Sequence, residues 1–209
     1  MGHVMNTPEV STKRGRGRPQ IFDREVALEK ALVLFWERGF EATSRSELIE
    51  AMGMSPSSIC ATWSDKEGLF RAVLDRYVSG PGGYAAPLLR EAATARDGFE
   101  ALFEKAASHM TTEGQPKGCL VGLSGTQVSS SATSVQAALT AVRRESRDAM
   151  EERLRAGQEV GELPPKVDVS DLASFFASVL QGMSISARDG ASEAELRAVG
   201  RRAMAAWPK

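Results

Sequence analysis

Four cations spaced by glycine, in the run Lys13-Arg14-Gly15-Arg16-Gly17-Arg18-Pro19, are the first residues of this chain whose types suit a chemical task. Arg16-Gly17-Arg18-Pro19 matches the core of an AT-hook, in which arginines lie along a narrow A·T minor groove. The other chemistry-bearing side chains stand alone. Cys60 and Cys119 have no lysine or histidine pair beside them to lower a thiol pKa, and read as small apolar fillers. Ser129-Ser130-Ser131 has no histidine and acid at a nucleophile's spacing and reads as a loop. Two scattered histidines and two cysteines make no zinc site. No catalytic constellation is present, so an enzyme is not expected, nor a metal or cofactor. With 26 Lys plus Arg against 27 Asp plus Glu the chain is no polycation, so any nucleic-acid site depends on charge placement. The first 25 residues hold no apolar secretory segment, no run of roughly 18 apolar residues spans a bilayer, and two cysteines build no disulfide framework. A cytoplasmic protein without membrane contact is expected.

The elements that must position these residues are helical. Residues 1–20 are polar and rich in Gly, Pro, Ser and Thr, and read as a disordered basic arm. From there Ala27, Ala31, Leu34 and Phe35 recur on one helix face, with Asp23 as N-cap and Gly39 as stop. Ser44-Arg45-Ser46-Glu47 is a capping box, and Gly53 ends the helix it opens. Ser55-Pro56 gives an N-cap followed by proline at the first helical position, and that helix runs to about Thr62. Ser64-Asp65-Lys66-Glu67 reads as a second capping box. Three short helices, the last two joined by a glycine turn, describe a helix-turn-helix over 21–66. The helix starts near Arg45, Pro56 and Lys66 offer free amides to phosphates.

Beyond Ser79-Gly80-Pro81-Gly82-Gly83, helical patterns fill 84–93, 96–112, 119–129, 134–158, 168–187 and 192–206. No period-two strand pattern persists. The expected fold is all-α, a small N-terminal unit followed by a larger helical body over 67–209. In 134–158, Val135, Leu139, Val142, Met150 and Leu154 form one stripe. In 168–187, Leu172, Phe175, Phe176, Val179, Leu180 and Met183 cover more than one face, which predicts burial against a second subunit.

The stretch Gly17-Arg18-Pro19-Gln20, Ala31 through Ser44 (ALVLFWERGFEATS) and Asp65-Lys66-Glu67-Gly68-Leu69-Phe70 resembles the DNA-binding domain of TetR-family transcriptional regulators. The likeness covers residues 17–78; the rest resembles the variable helical body of that family, and Lys117-Gly118-Cys119-Leu120-Val121 resembles the Gly-Cys-Leu segment of one subgroup. The resemblance implies a homodimer joined through the 134–158 and 168–187 helices, a double-stranded DNA operator, and repression relieved by a small-molecule effector. It places Arg45 at backbone contacts, Ser55, Pro56, Ser57 and Ala61 on the recognition helix at base edges, and Thr62 and Lys66 at phosphates. Ile59 and Trp63 pack inward. Cys60 stands where most members carry a phosphate-touching tyrosine. Arg16 and Arg18 add minor-groove contact. An effector-independent architectural DNA-binding protein and a transcriptional activator are the alternative readings.

For the effector, the apolar wall is expected from Phe99, Leu102, Phe103, Ala106 and Met110 on one helix and Leu120, Leu123 and Val128 on the next, with Phe175 and Phe176 closing it. His109, Ser124 and Gln127 are its polar groups. No Asp or Glu sits among these positions, so a neutral or weakly anionic, hydrophobic or aromatic compound is expected.

Overall fold

The computed structural model describes residues 23–124 and 128–209. Those residues form ten helices and no strand. The basic arm, Arg16 and Arg18 included, and Gln127 lie outside the described residues.

The first four helices begin on side-chain oxygens. Asp23 accepts the amides of Glu25 and Val26 at the start of α1 (Arg24–Ala42). Gly39 interrupts that helix at φ 79°, ψ 174°, a conformation other residues rarely adopt, so the last turn leaves the axis. Ser44 and Glu47 complete the reciprocal capping box of α2 (Arg45–Met52). Gly53 closes α2 in the left-handed region, φ 66°, and turns the chain into α3 (Pro56–Trp63), capped by Ser55 with Pro56 at its first position.

One cap differs from the sequence expectation. Ser64 is the C-cap of α3, at φ 69°, and its N–H is spent on the Cys60 carbonyl. Asp65 instead caps α4 (Lys66–Val78), its carboxylate accepting the Gly68 amide at 2.7 Å. Two helices only one linker apart compete for the same serine, and the outgoing helix takes it.

The buried faces of α1–α4 share one core. Phe35, Phe40 and Phe70 meet ring to ring at 5.1–6.2 Å. Leu69, Val73 and Leu74 of α4 fill it, and Leu120, Val135 and Leu139 extend it from later helices. A second core holds α5 (Ala85–Glu91), α6 (Ala95–Met110), α8 (Thr133–Glu159), α9 (Val169–Arg188) and α10 (Glu193–Met204). Its centre is Phe176, packed on Phe99 (4.8 Å), Phe103 (5.6 Å) and Trp207 (6.1 Å). The short α7 (Leu120–Ser124) lies between the cores and ends sooner than the 119–129 pattern predicts; Val128 and Ser129 are not helical.

Phe176 had two expected roles, against a second subunit and against an effector. The structure gives it neither position: it is fully buried in the body's own core. The face of α9 left open carries Phe175 (42% exposed), Ile185 (47% exposed) and the unobstructed Gly182. One residue of register, 100° around the helix, separates an apolar position that builds the monomer from one that does not.

Candidate nucleic-acid interface and body cavity

Eight residues of α3 divide cleanly by side. Ile59 and Trp63, four apart, are buried against the core. Ser57, Ser58, Cys60, Ala61 and Thr62 are exposed. The Ser55 hydroxyl caps the Ser58 amide at 3.1 Å and lies 2.9 Å from the Ser57 hydroxyl. Thr62 donates its hydroxyl to the Ser58 carbonyl at 2.8 Å. The recognition face is therefore short, small and hydroxylic, with no charge on it. Arg45 is exposed at the start of α2. Arg38 is ion-paired to Glu47 across the α1–α2 junction. Lys66 at the start of α4 is half-buried, its ammonium 4.4 Å from the Phe40 ring centre and 3.4 Å from the Glu41 carbonyl. Burial lowers its pKa, and the Glu41 carboxylate acts in the opposite sense.

Every described residue expected at DNA thus lies at the start of α2, α3 or α4 or on the outer face of α3, and Arg45, Pro56, Cys60 and Lys66 line one cleft. Free amides from those helix starts stand beside hydroxyls and one lysine, which suits phosphate docking with base reading from a small-residue helix.

The body holds a cavity of about 160 Å³ walled by α4, α6, α7, α8 and α9. Leu102 and Met110 line it as expected from sequence. Its other apolar walls include Tyr84, Val142, Met150 and Leu180. Tyr77 reaches it from the C-terminal half of α4. The Tyr77 hydroxyl donates to the Cys119 sulfur at 3.4 Å and stands 3.3 Å from His109 Nε2. Burial pushes the Tyr77 and Tyr84 phenols well above their usual range. Burial and then the nearby Lys105 charge lower the pKa of His109. These groups are neutral near pH 7. Arg143 and Arg147, not anticipated from the sequence, supply the cavity's charge.

The remaining expected effector residues lie elsewhere. Phe99, Phe103 and Phe176 fill the second core, and Ala106 is fully buried. Leu120 belongs to the first core. His109 sits behind Tyr77, its ring 5.6 Å from that of Trp36. Leu123 and Ser124 line a separate cleft with Trp36 and Arg188. Phe175 faces outward. The cavity takes Leu102 and Met110 of α6 and Ala177 and Leu180 of α9, whereas the aromatic cluster takes Phe99, Phe103 and Phe176 of the same two helices.

Besides the Tyr77 contacts, further polar bridges among the described residues tie the body to the first helices. Arg188, at the end of α9, donates to the Trp36 and Glu37 carbonyls at 2.7 Å each. Trp36 donates its indole N–H to the Gly118 carbonyl at 3.2 Å. Glu41 accepts the Ser129 amide at 2.8 Å. Ser134 donates to Glu67.

Comparisons with known proteins agree with this geometry. A family model described as "Bacterial regulatory proteins, tetR family" matches residues 27–73, and one described as "Tetracyclin repressor-like, C-terminal domain" matches residues 95–204. The HTH-type transcriptional repressor ComR of Escherichia coli (strain K12) is 39% identical over 203 residues, 94% of each chain. The HTH-type transcriptional repressor BdcR of the same organism is 34% identical over 114 residues, 54% of this chain and 58% of its own. Among solved structures, a cysteine mutant of the TetR family transcriptional regulator CifR, complexed with 26-bp double-strand operator DNA, superposes with a TM-score of 0.87 at 40% identity, covering 91% of this chain and 100% of that one.

Proposed function

The chain belongs to the TetR family of DNA-binding transcriptional regulators, which are not enzymes, and from that premise we propose that it is a homodimeric repressor released from its operator by a small hydrophobic or aromatic effector. The observation that carries this reading is α4. One continuous 13-residue helix starts with Lys66 beside the recognition helix and carries Tyr77 and Val78 of its last turn into the cavity wall. Its length from Lys66 to Tyr77 is about 16 Å at 1.5 Å per residue. A ligand that shifts one end moves the other, because a packed helix transmits displacement rather than absorbing it.

Repression is supported by the names of ComR and BdcR, both repressors. The homodimer is supported by the open apolar face of α9 beside α8. In the DNA complex, the exposed hydroxyls of Ser55 and Ser57, with Pro56 and Ala61, read base edges. Arg45, Thr62 and Lys66 hold phosphates, and the Cys60 thiol replaces a longer hydroxyl group at the same face. Arg16 and Arg18 enter the adjacent minor groove. Effector and DNA favour different spacings of the two recognition helices, so each lowers the affinity for the other by the same factor. A solidly packed body would favour an effector-independent protein; the cavity supports an effector. Selection from a random duplex pool tests the reading. Two-fold symmetric sites bound by dimers are expected, and enrichment of asymmetric sites or of none overturns it.

A further inference from the structure

We propose that the body cavity binds a small aromatic carboxylate, its ring held between α6 and α9 and its carboxylate held by Arg143 and Arg147. The proposal rests on the effector reading above and names the ligand's chemistry.

Size sets the first limit. The cavity measures about 160 Å³, and a buried cavity of about 150 Å³ admits benzene. A single ring with a short substituent fits that volume. Wall chemistry sets the second. Leu102, Met110, Met150, Leu180 and Tyr84 offer apolar and aromatic surface to a ring.

Charge sets the third. Arg143 and Arg147 are four residues apart on α8 and share one face. Both line the cavity, and no Asp or Glu among the described residues lines it. Arg147 donates to Asp148 at 2.8 Å, an exposed neighbour pair worth little. Arg143 is half-buried and meets only neutral acceptors among the described residues: the Val121 carbonyl at 3.4 Å and the Thr140 hydroxyl at 3.2 Å. A guanidinium beside apolar walls, with long bonds to neutral oxygens, has donors free for a planar two-oxygen anion. The groups beneath, His109, Tyr77 and Tyr84, carry no charge that would repel one near pH 7.

Calorimetry and thermal melting on the full-length protein test this with three probes: benzoate, benzamide as its neutral isostere, and acetate as the charge without the ring. Benzoate is expected to bind at least about tenfold more tightly than either, since charge-assisted hydrogen bonds are roughly twice as strong as neutral ones. Arg143→Gln is expected to weaken benzoate at least about tenfold and leave benzamide within about twofold. Arg144→Gln removes the same charge from an exposed neighbouring position and is expected to change neither. Equal binding of benzoate and benzamide, equal losses from the Arg143 and Arg144 variants, or benzoate binding weaker than about 10 mM overturns the proposal. Unchanged melting curves of the unliganded variants keep misfolding out of the comparison. A fourth measurement separates the two claims. Benzoate that binds through Arg143 yet leaves the selected duplex bound upholds the site and its chemistry, and overturns the effector reading instead.

Discussion

Asp23, Ser44, Ser55 and Asp65 each set a side-chain oxygen on a free amide at the start of α1, α2, α3 and α4. Tyr84 and Ala132 open α5 and α8 with none. The N-terminal unit fixes its helix ends locally, within three residues of each boundary. The body is mixed: Thr94, Asp168 and Ser192 cap α6, α9 and α10, whereas α8 runs 27 residues without a capping side chain and holds its place through Val135, Leu139, Met150 and Leu154. A unit that must present amides to phosphates needs defined helix starts. In the body, the 160 Å³ cavity lies between α8, which starts without a cap, and the capped α6 and α9.

The largest expected effect separates two adjacent phenylalanines. Phe176→Ala removes the centre of the aromatic cluster with Phe99, Phe103 and Trp207 and is expected to cost about 3–5 kcal/mol in urea unfolding. Phe175→Asp touches the open face of α9 and is expected to leave each subunit folded while sedimentation shows dissociation, because the charge is stranded only in the assembled dimer. A dimeric Phe175→Asp protein would move the interface elsewhere.

Local signals explain what the sequence made readable. Asp23, Ser44, Gly53 and Ser55-Pro56 act on backbone groups two to four residues away, so their roles follow from spacing. Ser64 fits the pattern of two helix ends at once, and in the structure its N–H closes α3 on the Cys60 carbonyl while Asp65 caps α4. The α9 stripe was visible, yet Phe175 and Phe176 differ by 100° around the helix, and apolarity alone does not say which face meets the core. The cavity was half legible. Leu102 and Met110 lie on a periodic helix, whereas Tyr77, Arg143 and Arg147 enter it only through the crossing of α4 and α8. Arg188 caps the carbonyls of residues 151 and 152 positions away, a contact no local pattern encodes.

That contact gives the next prediction. Arg188 stands one turn beyond Ser184, which accepts the Cys119 amide at 2.7 Å and lines the cavity. Arg188→Ala is expected to leave DNA and effector affinities measurable but to remove most of a coupling of about 1–3 kcal/mol between them. The measurement is DNA affinity with and without effector. An unchanged ratio would assign the transmission to α4 alone.

On the local side of the comparison, Ser44→Ala removes the α2 capping box and is expected to cost about 1 kcal/mol of stability. Thermal melting checks it, with DNA affinity falling because Arg45 and the α2 amides lose their fixed start. In the body the corresponding probe is pH. His109 has a pKa lowered by burial and by Lys105. The unfolded chain therefore binds more protons than the folded one between the lowered value and about 6.5. Stability is expected to fall as pH drops through about 6.5 and to level off below the folded pKa. His109→Gln is expected to flatten that slope, and an unaltered slope would place the proton uptake on another group.

The smallest expected effect belongs to Lys66, and its size follows from how its charge is already engaged. The ammonium lies over Phe40 and near the Glu41 carbonyl, with Glu41 and Arg45 as opposing charges around it. On the proposed reading, a lysine held this way would meet DNA as a point charge beside a helix start, not as a reader of bases. Lys66→Ala is expected to weaken selected and random duplexes by the same factor and to flatten the salt dependence by about 0.9 in the log–log slope, the value for one phosphate contact. Ala61→Ser, on the exposed face of α3, is expected to leave that slope alone and change which base pairs are preferred. If Lys66→Ala changed the preference while Ala61→Ser changed only the slope, the reading face would belong to the start of α4, and the division of α3 into buried and reading sides would lose its functional meaning.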